Sequence, residues 1–237
     1  MSGFIGSIIK GIFGLIGSIM RMIFSVVNIP AWIYDLTITQ PMTKYTYYRL
    51  LDRLTPSFPK TKKILDVGTG TGQALNTIIG KIPSDVKVVA IDIDEYYVKK
   101  ATKLFANREN VEVRLQNFYD LETSNEKYDQ IIFSSSFMLM PDQNKAISIA
   151  KKLLNPGGKI YFLMTLYNKK RELMEKVKPM IKHYTTIDFG KITYENEFDN
   201  LLKNNGLGVL LKERIIYGMN PILKVFRIFI VECEPAK

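Results

Sequence analysis

The chain is poor in the residues that make covalent and metal cross-links: its 237 residues include one cysteine, Cys233, and one histidine, His183. No internal disulfide can form, and no cysteine-rich metal set exists. No Asn-x-Ser/Thr acceptor occurs anywhere. Nothing in the sequence therefore points to a secreted life, and a reducing compartment is expected. The pattern G-x-x-x-x-G-K-[ST] is absent, which excludes a P-loop phosphate cradle. There is no internal repeat and no low-complexity tract. Between Gly3 and Val27 there is no acidic residue at all.

What is present is ordinary in amount and uneven in placement. A hydrophobic content of 46% and a charged content of 24% suit a folded domain with some extra N-terminal sequence. The net charge of +10 is concentrated in two stretches. Residues 1–63 hold eight Lys and Arg against Asp35 and Asp52, and residues 168–182 hold six against Glu172 and Glu175. Together they account for the whole excess. Such stretches favour anionic surfaces, either nucleic acid or acidic lipid.

The stretch "GFIGSIIKGIFGLIGSIMRMIFSVV" carries only Lys10 and Arg21 as charges. On a helix these fall within about 20° of each other, among Gly6, Ser7, Gly14, Gly17, Ser18 and Ser25. Phe4, Ile5, Ile8, Ile12, Leu15, Ile16, Ile19 and Ile23 take the broad opposite side. The pattern is an amphipathic helix with a narrow polar stripe of small residues. An interfacial helix in the headgroup plane fits best. A span would have to bury Arg21, at about 2.5–3.5 kcal/mol; a core helix or a targeting peptide is the remaining alternative. Trp32 then suits an interface. Two domains are expected: an amphipathic helix and linker at 1–35, and a catalytic domain at 36–237.

In the second part, strand-like runs alternate with helical patterns. Strands are expected at Lys63–Val67, Val86–Ile91, Val111–Leu115, Gln130–Phe133 and Lys159–Met164. Helices are expected near 43–55, 72–80, 95–106, 142–154 and 196–204, the fourth ended by "NPGG". This alternation predicts an α/β fold, a parallel sheet with helices on both faces. Two β-rich runs, 207–217 and 223–232, form a closing hairpin that adds an antiparallel pair. A basic, irregular, lid-sized interval lies at about 165–195.

The chemistry starts at "ILDVGTGTGQ", residues 64–73, where a strand breaks into Gly68, Gly70 and Gly72. The spacing is G-x-G-x-G, not the G-x-G-x-x-G of a dinucleotide turn. Asp66, just before the turn, would repel a phosphate but suits an ammonium or sulfonium. The second strand ends in "VVAIDID", placing Asp92 twenty residues after Gly72, where a carboxylate can take both ribose hydroxyls. Asp66 and Asp92 around the glycines describe a cationic adenosyl ligand.

At these motifs the sequence resembles the class I S-adenosylmethionine-dependent methyltransferases, strongly over about residues 43–165. The resemblance implies a Rossmann-like, doubly wound, seven-stranded sheet of order 3-2-1-4-5-7-6 with strand 7 antiparallel, and S-adenosyl-L-methionine as cofactor. It implies that Gly68 and Gly70 pass close to the methionine moiety while Asp92 holds the ribose. Thr69, Gly72 and Ile93 are counted with them as cofactor-binding. "LQNFYDL" is similar to the third motif, with Asn117 where an acidic residue is usual and Phe118 beside it. "YDQIIFSSSFMLMPD" is similar to the fourth, with Ser134 and Ser135 at the strand end near the transfer site. Tyr34–Asp35 also looks like the start of the quinone-precursor and phospholipid methyltransferases.

Methyl transfer needs proximity, alignment and exclusion of water, and a base only when the acceptor must lose a proton. His183 is the sole histidine candidate for such a base, and an acceptor needing none (an amine or a thiol) is favoured. Tyr34, Tyr45, Tyr47 and Tyr48 precede the first strand, where they either close over the site or pack a helix against the sheet. Met138 reads as pocket wall. No metal is called for. The expected function is a membrane-associated methyltransferase facing a reducing compartment, either the cytosolic side of an organelle membrane or the mitochondrial matrix side. It would touch lipid through residues 4–27, and through 168–182 if that basic stretch is more than a solvated face. It would act on a phospholipid amine, a quinone precursor or a lipophilic thiol. A non-catalytic subunit of a membrane complex is the alternative, and nucleic acid is the weaker partner for the basic charge.

Overall fold

The computed structural model describes residues 40–168, 192–215 and 227–236. The expectations for residues 4–27, Tyr34, His183 and positions 169–182 lie outside these. The chain divides into two units, 1–41 and 42–237, and nearly all described residues belong to the second. Among the described residues no helix is long and apolar enough to cross a membrane.

Helix α1 (Gln40–Leu54) starts three residues before the expected boundary and leads through a short 3-10 turn, Thr55–Lys60, into the sheet. The sheet and its helices follow in alternation: β1 (Lys63–Val67), α2 (Gln73–Ile79), β2 (Lys87–Asp92), α3 (Glu95–Leu104), β3 (Val111–Leu115), β4 (Tyr128–Ser134), α4 (Gln143–Leu153) and β5 (Leu154–Thr165). Helix α5 (Glu195–Asn204), β6 (Leu207–Arg214) and β7 (Ile228–Pro235) complete the described part.

The seven strands form one sheet of order β3-β2-β1-β4-β5-β7-β6. The first five run parallel, and β7 lies antiparallel between β5 and β6. This is the Rossmann-like order that the family resemblance implies, and its parallel part is what the strand–helix alternation calls for. The order reverses between β1 and β4, and a crevice opens at the carboxyl ends of strands at such a switch point.

Both faces of the sheet are covered, so its strands read as apolar runs without strict alternation. One face presents Leu65, Val67, Val89, Ile91, Ile131, Phe133, Ile160, Phe162 and Val231 to a core shared with α4 and α5. Within it Phe133 and Phe162 stack at 5.4 Å, with Phe137 and Phe198 set edge-on against Phe162 at 4.7 and 5.4 Å. The other face is crossed by α1, whose Arg49 and Arg53 both pair with Glu213 of β6.

Two local expectations are corrected. "NPGG" is not the turn that ends α4; it lies inside β5, which starts at Leu154 paired to Tyr128 and shifts register before Gln130 pairs with Lys159. The shift absorbs Pro156, which cannot donate in the ladder. Backbone packing is tight there, because a Cβ on Gly158 would stand 3.0 Å from the Asp129 carbonyl. The hairpin strands end and begin away from the expected limits: β6 stops at Arg214, and β7 runs from Ile228 to Pro235.

Candidate active site

The three glycines after β1 all have positive φ, at 74°, 57° and 78°, a region that costs other residues about 1–2 kcal/mol. Their roles differ. A Cβ on Gly68 would lie 2.5 Å from that of Ser136, so this glycine lets the turn pack against the end of β4. A Cβ on Gly72 would meet the Phe105 ring at 2.6 Å, so this one seats α3 against the turn. A Cβ on Gly70 would meet nothing within 4 Å. Gly70 alone faces open space, and there the backbone is free to approach a ligand. The amides of Gly68 and Thr69 donate to the Ile91 carbonyl at 2.9 and 3.0 Å, tying the turn to β2.

Asp92 ends β2 and holds the same turn from the side. Its Oδ2 accepts from the amide of Gly70 at 2.8 Å and its Oδ1 from that of Asp94 at 3.0 Å. Each carboxylate oxygen keeps further lone pairs for a ligand hydroxyl. Beyond it lies a cleft of about 420 Å³ lined by Ile93, Leu115, Gln116, Asn117 and Asp120. Ile93 and Leu115 are large apolar residues at 73% and 55% exposure, a fair pair of walls for a flat aromatic ring. Asn117 Oδ1 accepts from the amide of Tyr119 and so caps a 3-10 turn, Phe118–Thr123. Phe118 does not line the cleft: it is buried in the core, edge-on to Phe133 at 5.3 Å.

Asp66 lies on the other side of the glycine turn. It is 1% exposed, and neither of its oxygens has a hydrogen-bond partner. Burial raises its pKa to about 6; the nearby Thr69 hydroxyl eases that rise and the charge of Asp92 adds to it. Thr69 Oγ1 is itself buried without a bonded partner. An unpaired buried carboxylate is costly. It is the mark of a place built to receive a donor or a cation.

β4 closes this end. Asp66 pairs in register with Ile132, so Ser134, two residues on, shares its face. Ser136 Oγ donates to the Val67 carbonyl. Between them Ser135 takes φ = 55°, the sole non-glycine at positive φ among the described residues, held by its amide bond to the Leu163 carbonyl at 2.8 Å. Backbone strain of this kind concentrates at functional sites. Met138 is half-buried against the core, while Leu139 is 45% exposed.

From α1, Tyr47 rather than its neighbours reaches this place. It is 2% exposed, and burial with the nearby charge of Asp66 raises its pKa well above the usual phenol value, an effect the Ser134 side chain eases. Tyr48 instead lies under Lys81, whose Nζ is 5.1 Å from its ring centroid, and Tyr45 is 42% exposed. The structure therefore gathers Asp66, Gly68, Thr69, Gly70, Gly72, Asp92, Ile93, Asn117, Ser134 and Ser135 at the carboxyl ends of β1, β2, β3 and β4. It adds Tyr47, Leu115, Gln116 and Asp120, which the motifs did not name as site residues. Leu115 had a readable signal, an apolar residue at the end of the third strand.

Comparison with known proteins agrees with this fold. The profile of the family described as "Methyltransferase domain" matches residues 59–206. An arsenite methyltransferase of Aquipseudomonas alcaligenes is 22% identical over 191 residues, covering 76% of this chain and 54% of the relative. The chain thus spans little more than half of that protein's length. A ubiquinone biosynthesis O-methyltransferase of Hydrogenovibrio crunogenus is 28% identical over 176 residues, covering 71% of this chain and 70% of the relative. Among solved structures, an S-adenosylmethionine-dependent methyltransferase from Clostridium acetobutylicum superposes with a TM-score of 0.62 at 15% identity, covering 89% of this chain and 99% of that one.

Proposed function

We propose that this chain, which belongs to the methyltransferase-domain family matched over residues 59–206, works at a membrane surface on an amphiphilic acceptor. It is an S-adenosylmethionine-dependent methyltransferase. The acceptor we favour is a phospholipid amine, a quinone precursor or a lipophilic thiol.

The residues present fit the cofactor. The orphaned carboxylate of Asp66 would take the ammonium of the methionine moiety, and the open space over Gly70 would take its backbone-hugging part. Asp92 would hold the ribose hydroxyls with its free lone pairs, while Ile93 and Leu115 would flank the adenine and Asn117 or Asp120 would meet its amino group. Bound there, S-adenosylmethionine supplies a methyl group on a sulfonium, an electrophile that needs no activation by a metal or an acid.

The protein's own part is placement and exclusion of water. The Phe133–Phe137–Phe162 cluster packs the end of β4 that leads into Ser134 and Ser135. Ser135, strained and exposed, offers a hydroxyl to an acceptor at the end of β4. The Tyr47 phenol is kept neutral by burial and by the charge of Asp66, so it acts as a dipole and not as a base. An acceptor that arrives nucleophilic, an amine or a thiol, suits such a site.

The membrane part of the reading is carried by one observation. Residues 3–27 hold no acid, and on a helix Lys10 and Arg21 would share a narrow stripe opposite a broad apolar side. Insertion at about 25 cal/mol per Å² would outweigh the ~1 kcal/mol that each basic residue adds at an acidic surface. The segment "FMLM", with Leu139 exposed, and the quinone-pathway relative support an apolar acceptor. The test is methyl-label transfer from S-adenosylmethionine to liposomes carrying phosphatidylethanolamine, a demethylated quinone or a long-chain thiol. Chains with and without residues 1–28 are compared. Labelling of one embedded acceptor, lost on truncation while a short-chain analogue is still methylated, is the expected result. Equal sedimentation of both chains with liposomes, or release of the full chain by salt alone, sinks the membrane reading.

A further inference from the structure

The Tyr119 hydroxyl donates to the Asp142 carbonyl at 2.8 Å and accepts from the Asp142 amide at 3.0 Å. A phenol can do both at once, and meeting both backbone groups of one residue fixes that residue in two directions. Neither partner is a site residue, yet each is tied to one. Tyr119 stands between Asn117 and Asp120, which line the cleft beyond Asp92. Its amide donates to Asn117 Oδ1 at 3.0 Å, and the Asp120 amide donates to the Asn117 carbonyl at 3.1 Å. Asp142 is the N-cap of α4 and ends the segment that starts at strained Ser135 and carries exposed Leu139. We propose that Tyr119 is a positioning residue that couples these two places: an adenosyl group seated against Asn117 and Asp120 steadies, through the Tyr119–Asp142 bonds, the segment from Ser136 to Pro141 that follows the Ser135 hydroxyl. The inference rests on the reading of the cleft as an adenosyl site, and not on the membrane or acceptor part of that reading.

The segment depends on how its ends are held. Its own order is a single 3-10 turn, Phe137–Leu139, closed by the Leu139 amide on the Ser136 carbonyl at 3.0 Å and the Met140 amide on the Phe137 carbonyl at 3.2 Å. One such turn has little stability by itself. At its start the Ser135 amide is bonded to the Leu163 carbonyl, and Ser136 Oγ to that of Val67. At its end stands Asp142, held by Tyr119. On the other side, the Asn117 side chain that accepts from the Tyr119 amide is exposed in the cleft. A ligand there presses on the residue that sets the backbone of Tyr119, so the phenol is the part that carries the change to Asp142. The other polar tie between the same two elements is weaker. Glu122 pairs with Lys145 of α4 at 2.7 Å, but the two side chains are 52% and 44% exposed, and such a pair adds little. The Tyr119 ring lies edge-on to Phe118 at 6.2 Å, a contact that removal of the hydroxyl leaves in place.

The test is amide hydrogen exchange on the full chain, with and without two ligands held at saturation by calorimetry. 5′-Methylthioadenosine presents the adenosyl part alone, and S-adenosylhomocysteine adds the amino-acid part. The readout is Leu139 and Met140, whose amides bond within the segment and not to Tyr119, so Tyr119→Phe takes no partner from them. In the wild-type chain 5′-methylthioadenosine should slow their exchange about fivefold or more. In Tyr119→Phe, with affinity for that ligand within about threefold of wild type, it should slow them less than about twofold. Lys145→Gln, which removes the Glu122 pair between the same elements, should keep the wild-type response. A Tyr119→Phe chain that exchanges faster throughout but keeps the full ligand response makes Tyr119 a packing residue and overturns the proposal. So does a wild-type chain that binds 5′-methylthioadenosine with no slowing at Leu139 and Met140, a result that needs no variant to fold. Slowing by S-adenosylhomocysteine alone overturns it too, because the change would then enter through the glycine turn. If the wild-type chain binds neither ligand, the site reading falls and takes this proposal with it. If it binds both while methylating no lipid, only the acceptor reading falls.

Discussion

The amide of Gly70 donates to Oδ2 of Asp92 across 2.8 Å, joining the one glycine of the β1 turn that faces open space to the carboxylate at the end of β2. Asp92 therefore shapes the turn before any ligand arrives. Removing it as Asp92→Ala strands the amides of Gly70 and Asp94 and deletes the ribose contact. Cofactor affinity should drop by about 1–3 kcal/mol, the worth of lost charge-assisted bonds, with a lowered melting temperature. Asp92→Asn keeps one acceptor for Gly70 and should fall between. Calorimetry that finds the alanine variant within threefold of wild type would remove Asp92 from the site.

The glycines should separate binding from folding. Gly70→Ala pays about 1–2 kcal/mol for its φ and meets no atom. It should fold and bind the cofactor poorly, because the methyl enters the ligand's space. Gly72→Ala pays the same and also drives a Cβ to 2.6 Å from the Phe105 ring, an overpacking cost of about 1–3 kcal/mol more. Its melting temperature should fall further, by several degrees beyond that of Gly70→Ala. The reverse ranking in thermal unfolding would overturn these roles.

How far the sequence could be read follows from what each feature depends on. The parallel sheet with its closing antiparallel pair was legible because five apolar runs alternate with helices and a hairpin follows; the strand order came from the resemblance of the glycine and aspartate motifs to the class I methyltransferases. Gly68, Gly70, Gly72 and Asp92 were legible as a group, since a strand-end acid twenty residues after a glycine turn has few structural uses. Their division of labour was not. Whether a glycine faces Ser136, Phe105 or open space is set by elements far along the chain. Phe118 looked like a ligand residue by position, and its ring turned into the aromatic core. Tyr47 was indistinguishable from Tyr45 and Tyr48, because helical phase over a twisted sheet decides which phenol reaches β1. The register shift at "NPGG" depends on Tyr128 across the ladder.

Asp66 should trade stability for function. Its pKa is raised by burial to about 6 in the folded chain, above the ordinary carboxylate range. A group raised in this way contributes stability below its unfolded pKa and loses it as pH climbs through the folded value. Asp66→Asn removes the ionised buried group, so it should stabilise the cofactor-free chain at pH 8 by about 3 kcal/mol, with little gain at pH 4. Cofactor affinity should collapse in the same variant. Denaturant unfolding at the two pH values checks the first half, and equal stability changes at both would show that the Asp66 carboxylate is not the source of the cost.

The ion pairs of Arg49 and Arg53 with Glu213 should matter to the site although they lie at the opposite edge of the sheet. Glu213 is about three-quarters buried, and both pairs are partly solvated, at 34% and 32% exposure of the arginine side chains. The direct cost of Glu213→Gln should therefore be small, about 1–2 kcal/mol and reduced in high salt. Arg53 Nε is buried without a partner, so the guanidinium left behind has little else to hold it. Loosening α1, which crosses the sheet face that carries Asp66, should lower S-adenosylhomocysteine affinity two- to fivefold. A double-mutant cycle decides whether that loss travels through the ion pair. With Arg53→Gln already in place, Glu213→Gln should cost little further affinity, since residues acting through one another are non-additive. Strictly additive losses would mean that Glu213 supports the fold alone and that the strap across the sheet has no part in seating the cofactor.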